Sequence, residues 1–246
     1  MVARIEAFTY SGATMIADTK GSEVARLFET GAHFAQVRSR RHPSMKPFVL
    51  GARSRLEILD LSKTEEQLKA AKEAFTALAK DGKTILFVGG KSEVAEAVAG
   101  TAEKIGAPYV AGRWLGGTIS NFQEIQKRIN RLADLLAKRE SGELAKLYTK
   151  LERVRIDREI ERLSKRLRGI TGLAKRPDAL LVVDTRHERH ATKEAKDAGI
   201  PIIAIMNSDC NLDDATFPII ANDASRATVS LILSELAQAY EDGRTG

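Results

Sequence analysis

Phe87-Val88-Gly89-Gly90-Lys91-Ser92 combines an apolar run, paired glycines, a lysine and a hydroxyl, the residue types that can hold a phosphate. A strand meeting a helix N-terminus there would aim backbone N–H groups at an anion. The full phosphate-loop pattern also needs a glycine five positions before Gly90, and that position is Ile85. The dinucleotide fingerprint of three spaced glycines is missing as well. A tight strand-to-helix turn accounts for the segment better than a nucleotide site.

His187 and His190, beside Asp184 and Glu188, have a spacing that could set two imidazoles on one helical face as metal ligands. Two further ligands are not evident, and a charge cluster at a helix start is the better account. Cys210 has Asp209 and Asn211 as neighbours, which would not activate a thiolate. No serine lies in a nucleophile-elbow sequence. No catalytic residue, cofactor site or metal site is assigned.

Another chemistry is more densely written. From Thr30 to Leu56 there is no acidic residue, while Arg38, Arg40, Arg41, Lys46, Arg53 and Arg55 all fall there, interleaved with His33, His42, Phe34, Phe48, Pro43 and Pro47. Arginine's planar fork can donate two hydrogen bonds to one phosphate. Prolines stiffen a loop and cut the entropy lost on docking. A basic loop that tracks a phosphate backbone is expected.

A second basic stretch lies in the middle of the chain. Gln123 to Arg176 holds 16 Lys and Arg against 8 Asp and Glu, in a chain of net charge +6, so the remainder is slightly acidic. Lys138, Arg139, Lys146, Lys150, Arg153 and Arg155 are expected to brace a second surface of RNA or protein. In Arg113-Trp114-Leu115-Gly116-Gly117-Thr118 the only tryptophan is expected to pack, with Arg113 a candidate contact to RNA or another domain.

The elements that must position these residues can be read from periodicity. Apolar runs without polar alternation at 56–61, 85–88, 180–183 and 202–206, and shorter ones at 109–110 and 217–220, read as buried parallel strands. Helical patterns cover 64–81, with Ser62 and Glu65 as a capping box, and 92–105, 190–198 and 224–240. Such alternation predicts an open parallel sheet with helices on both faces. In the middle, Ile125, Ile129, Leu132 and Leu136 step by three and four after a cap at Ser120 and Gln123. Ser141 and Gly142 interrupt the run. Leu144, Leu147, Leu151 and Val154 resume it, and Ile156, Ile160, Leu163 and Leu167 follow in a shifted register. Two helices folded back on each other, each limb of about 18 residues extending roughly 27 Å, are expected.

The basic balance, with pI about 9.4, favours a polyanionic partner. One cysteine gives no sign of an oxidising compartment, no run is long enough to span a bilayer, and Met1 to Lys20 does not read as a signal peptide. A cytoplasmic protein with no membrane partner is expected.

Four stretches resemble the bacterial small-subunit ribosomal protein two family. Gly31-Ala32-His33-Phe34 with Pro43-Ser44-Met45-Lys46-Pro47-Phe48 and Gly51 is similar to its opening motif, and Ile58-Leu59-Asp60-Leu61 with Lys63-Thr64 to its first strand and helix start. Pro108-Tyr109-Val110, the run Arg113 to Thr118 and Asn121-Phe122 are the most specific match. Pro177-Asp178-Ala179-Leu180 through Asp184, Glu194-Ala195 and Gly199-Ile200-Pro201 resemble the closing signature. The resemblance implies a flavodoxin-like parallel sheet with an inserted coiled-coil hairpin. It also implies a place between the head and body of the small subunit, contacts with small-subunit ribosomal RNA and neighbouring proteins, and a link to docking the large messenger-recruiting ribosomal protein one. It implies no catalysis. The sequence departs from the family at Ala35-Gln36-Val37, where Gly-His-Gln is common, at His42, where tryptophan is usual, and at Thr192, where an aliphatic residue is common.

The resulting division is an N-terminal extension over 1–21, a candidate flexible segment; one α/β domain from 22–119 and 170–241; a hairpin insertion at 120–169; and a tail at 242–246. A structural RNA-binding role is the reading. Its rivals are a nucleotide-using enzyme with its ligand near Gly89–Ser92 or Gly116–Gly117, and a protein-interaction adaptor working through the hairpin.

Overall fold

In the computed structural model, residues 23–245 are described; the extension read over 1–21 lies outside them. A helix, Glu23–Glu29 (α1), leads to strand Phe34–Val37 (β1), 3-10 turns at Arg38–Arg40 and Pro43–Phe48, and strands Val49–Arg53 (β2) and Leu56–Leu59 (β3). Next come Leu61–Lys80 (α2), Ile85–Val88 (β4), Ala95–Lys104 (α3) and Tyr109–Val110 (β5). Three helices follow, Phe122–Glu140 (α4), Glu143–Leu147 (α5) and Lys150–Leu167 (α6), closed by a 3-10 turn at Arg168–Ile170. Alternation then resumes with Ala179–Val183 (β6), Arg189–Asp197 (α7), Ile202–Met206 (β7), a 3-10 turn at Leu212–Asp214, Phe217–Ile220 (β8) and Arg226–Thr245 (α8).

The main sheet has the order β5-β4-β6-β7-β8, every pair parallel. In chain order this is 2-1-3-4-5, the flavodoxin-like winding. All residues of β4, β6 and β7 are buried, because both faces are covered. Ala179, Leu181 and Val183 pack with Phe75, Val98 and Leu236 on the face of α2, α3 and α8, while Leu180 and Val182 pack with Ala191, Ile125 and Trp114 on the face of α7 and α4. The chain leaves β5 for β6 on the far side of β4, so the order of strand addition reverses between β4 and β6, where sheets of this order bind ligands.

Several expectations are corrected. The apolar run at 56–61 is not a parallel strand: β3 ends at Leu59 and pairs antiparallel with β1 and β2 in a separate three-stranded sheet. Helix α2 starts at Leu61, which is buried, so the cap falls on Asp60, whose carboxylate accepts from Ser62 N at 3.2 Å, rather than on a Ser62–Glu65 box. Helix α3 starts only at Ala95, since Lys91 to Val94 form a turn. Residues 242–245 are no tail but the last turn of α8, where Gly243 lets the helix ride against α2: a Cβ there would meet the Thr76 carbonyl at 2.7 Å.

Helix α4 buries Ile125, Ile129, Leu132 and Leu135, and packs in the same cluster as Ile160, Leu167, Ile156 and Leu163 of α6; Arg131 and Glu159 pair across at 3.5 Å. The returning limb is broken. Thr149 and Glu152 form a reciprocal capping box that starts α6 afresh after α5, and Ser120 and Gln123 form no cap on α4. Of the run Leu144, Leu147, Leu151 and Val154, only Leu144 is buried. At the other end of α6 a Cβ on Gly169 would collide with the carbonyl and ring of Tyr109, so glycine is required where the limb returns to the sheet. Gly169→Ala should therefore lower the unfolding free energy by about 1–3 kcal/mol. Gly172→Ala, with open space around it, should leave denaturant melting curves unchanged.

Candidate nucleic-acid interface

The basic segment is not an irregular loop. It runs through β1, both early 3-10 turns and β2, and its backbone is tied to the end of β7. His42 N donates to the Ser208 carbonyl at 2.8 Å, Gln36 N to Ser208 Oγ at 3.2 Å, and Leu212 N to Ser44 Oγ at 3.1 Å. Met45 of the same segment is fully buried. His42, where the resembling family has tryptophan, accepts at Nδ1 from Ser44 N and caps the second turn, with Pro43 in its first position. Thr192, another departure, is buried with its hydroxyl donating to the Glu188 carbonyl at 3.1 Å.

On this braced backbone Arg38 and Arg40 share one turn and Lys46 lies on the next, all exposed. Arg53 and Arg55, also exposed, flank the β2–β3 turn. Ser54 and Arg55 there have φ of 50° and 75°, a left-handed pair that costs roughly 1–2 kcal/mol per non-glycine residue. Arg41 does not join them. Its guanidinium lies 2.8 Å from Glu57 Oε1, and Glu57 is only 2% exposed, so moving Arg41 onto a phosphate would strand a buried carboxylate. No sequence signal distinguished Arg41 from its neighbours.

The carboxyl edge of the main sheet is closed by charge. Lys91, just after β4, sets its ammonium 2.5 Å from Asp184 and 3.0 Å from Asp223. Burial pushes the ammonium pKa down, but the two carboxylates hold it well above the ordinary lysine range. Burial likewise raises both carboxyls; it dominates at Asp223, carried up to about 6, whereas at Asp184 the lysine and the His187 amide win and the carboxyl lies below its ordinary value. Asn207 donates to Asp223 at 3.1 Å. Gly90 N is used by Glu188 at 2.9 Å, and a Cβ on Gly90 would lie 2.5 Å from the Gly112 carbonyl. These glycines serve close packing, as a tight turn requires. Cys210 is buried beside Asp184, and burial pushes its thiol up to about 12.

His187 and His190 are not brought together as ligands. His187 Nδ1 lies 2.8 Å from Glu188 and His190 is exposed on α7. Among the described residues, the ligand-type side chains within reach of one another are Asp184, Cys210 and Asp223, and Lys91 already supplies the cation there.

Sequence reasoning did not single out Glu194 for any role beyond its place in the resemblance, and it holds α4 to the sheet. One carboxylate oxygen accepts from Trp114 Nε1 at 3.1 Å and Gly117 N at 2.8 Å; the other accepts from Ile119 N at 3.1 Å and from the amide and hydroxyl of Ser120, each at 3.3 Å. Burial raises this carboxyl, but the donors outweigh it and hold it below the usual glutamate range. Trp114 is 7% exposed and packs as expected, while Arg113 is exposed. Farther along, Arg139, Lys146, Lys150 and Arg155 are exposed, Arg153 is half-buried, and Lys138 pairs with Asp134 at 3.1 Å.

Glu194→Ala should lower the unfolding free energy by about 2–4 kcal/mol, the cost of leaving the indole of buried Trp114 and the amide of buried Ile119 without partners. Because Trp114 is the only tryptophan, its fluorescence should shift to the red in the same variant. A folded-state pKa below the unfolded one means this stabilisation is present above about pH 4.5 and lost as pH falls through the folded value. Acidification should therefore reproduce the red shift in the unmodified protein.

Among the described residues no helix is long and apolar enough to cross a membrane. The profile of the family described as Ribosomal protein S2 matches residues 27–243. The small ribosomal subunit protein uS2 of Coprothermobacter proteolyticus is 42% identical over 221 residues, 90% of this chain and 82% of the relative. The uS2c protein of Rhodomonas salina is 40% identical over 223 residues, 91% of each chain, and the uS2 protein of Wolinella succinogenes 38% over 218 residues, 89% and 80%. The family is structural and non-enzymatic, which agrees with a carboxyl edge filled by the chain's own ion pairs. With its sheet order, its Trp114 turn and its sequence matched over most of its length, the chain belongs to the ribosomal protein S2 family.

Proposed function

We propose that this chain is a structural constituent of the small ribosomal subunit in translation, binding ribosomal RNA between head and body. The observation that carries this reading is the set of exposed cations on the basic segment: Arg38, Arg40, Lys46 and Arg55, on a backbone held by Ser208 and Ser44, in a stretch without one acidic residue. Fixed cations of this kind neutralise phosphates and set register with little ordering cost. The basic surface of α4 to α6, with Lys138, Arg139, Lys146, Lys150, Arg153 and Arg155, and Arg113 near its root, engages a second surface of RNA or protein. Its partners are small-subunit ribosomal RNA and neighbouring small-subunit proteins, the large messenger-recruiting protein one among them, and its place is the cytoplasm. The α/β domain at 22–119 and 170–241 and the hairpin insertion at 120–169 are the two working parts.

A nucleotide-using enzyme has little support, because the lysine and amide that would meet a phosphate at the Gly89–Gly90 turn are spent on Asp184, Asp223 and Glu188.

The Arg38→Ala, Arg40→Ala, Lys46→Ala, Arg55→Ala variant should keep its melting curve yet bind small-subunit RNA more weakly. Its log-affinity slope against log salt should flatten by about 0.9 for each duplex phosphate that is no longer neutralised. Gradient sedimentation with and without ribonuclease tests the same point in whole subunits, and normal retention of the variant at raised salt would reject the phosphate role. Arg41→Ala should behave differently, losing about 3 kcal/mol of stability through unpaired Glu57, measured by denaturant unfolding of the free protein.

A further inference from the structure

We propose that the outer face of the α5–α6 junction docks another protein of the small subunit, one offering an apolar hollow rimmed with carboxylates. This rests on the ribosomal reading above and narrows its second contact from RNA or protein to protein.

Helix α6 belongs to a segment with two apolar stripes, and only one is used. Ile156, Ile160, Leu163 and Leu167 pack with α4. Leu147, Tyr148, Leu151 and Val154 face solvent, at 64%, 38%, 64% and 41% exposure. The register shift in the heptad-like sequence is therefore the change from one stripe to the other. Nor is this a frayed end. Thr149 N donates to Glu152 Oε2 at 2.9 Å and the Thr149 hydroxyl accepts from Glu152 N at 3.5 Å, so the break that turns the second stripe outward is capped on both sides.

Four large apolar side chains within eight residues mark a contact surface rather than scattered exposure. Charge selects the occupant. Lys146, Lys150 and Arg155 lie among the apolar residues and are exposed, while Glu152 is held by the Thr149 cap. A second copy would bring the same cations face to face. RNA phosphates would satisfy the cations but leave the two leucines and the valine with nothing to bury against. A membrane-surface helix needs a longer apolar stripe than these two short turns provide. A protein with apolar residues flanked by Asp or Glu satisfies both components. The patch is too small to hold a partner alone; it works as a second point once the basic segment has anchored the chain, through effective concentration.

The test places a photo-reactive benzoylphenylalanine at Leu151 of the full chain, assembled into small subunits in cells, with Arg162 substituted likewise as a control on the same helix. After irradiation and ribonuclease digestion, mass spectrometry identifies what is joined to it. An adduct with one ribosomal protein, at a peptide carrying apolar and acidic residues and absent from the Arg162 control, is expected. Adducts with RNA, with a second copy of this chain or with phospholipid, or none above the control, would overturn the proposal. In parallel, L147S/L151S/V154S should melt like the unmodified protein, since these side chains are exposed, yet be retained about tenfold less in subunits at high salt; unchanged retention also rejects the site. If the unmodified protein itself fails to sediment with the small subunit, the ribosomal reading falls; if it sediments but Leu151 meets no protein, only the docking site does.

Discussion

The ammonium of Lys91, wedged between Asp184 and Asp223, closes the place where a sheet of this winding ordinarily holds its ligand, between the ends of β4 and β6. Removing one member of such a triad would leave buried charge unpaired, so the three side chains hold the ends of β4, β6 and β8 together. Gly90 is drawn in by Glu188, and the Gly112 carbonyl crowds against it. With its crevice filled by its own charges, the α/β core has become a mounting, and the chemistry that faces outward lies on what is attached to it.

Two attachments leave this edge, and each is fixed by hydrogen bonds rather than by bulk packing alone. After β7, Ser208 receives two amides of the basic segment, and Met45 of that segment is fully buried in the core. From α7, Glu194 gathers the Trp114 indole and the amides of the turn that starts α4. A carboxylate with this many donors works in both directions: it fixes the turn, and the turn holds it ionised. Cations that must meet a rigid polyanion benefit from such anchoring, because less side-chain and loop freedom remains to be lost on docking.

Charge is sorted by depth. Among the described residues, buried Asp184 and Asp223 share Lys91 and buried Glu57 has Arg41, while buried Glu188 is met by the Gly90 amide and the His187 ring. Exposed cations lie outside, on the 3-10 turns, the β2–β3 turn and the α4–α6 surface. Burying an unpaired charge costs several kcal/mol, so this sorting is what folding demands. It also leaves a surface suited to a phosphate backbone. The left-handed Ser54-Arg55 pair has a local cause, since a two-residue loop joining the antiparallel β2 and β3 needs positive φ at both positions to match the twist of its strands.

The sequence by itself determined the parallel sheet, its flanking helices and the basic stretches. Unbroken apolar runs bury strands on both faces, and the steps of three and four in α2 and α4 set which side faces the core. Local pattern reaches that far because it depends on spacing along one element. It could not tell that the run at 56–61 joins a separate antiparallel sheet, since an apolar run does not name its partner strand. It could not separate Arg41 from Arg40, or see that Leu147, Leu151 and Val154 miss the seam that Ile156 and Ile160 enter. Those outcomes rest on groups far apart in the chain: Glu57 beneath Arg41, Glu194 beneath the Trp114 turn, and Asp184 and Asp223 around Lys91. Only tertiary structure decides which charges are buried together, because the cost of burying each is set by the partner that arrives from elsewhere in the fold.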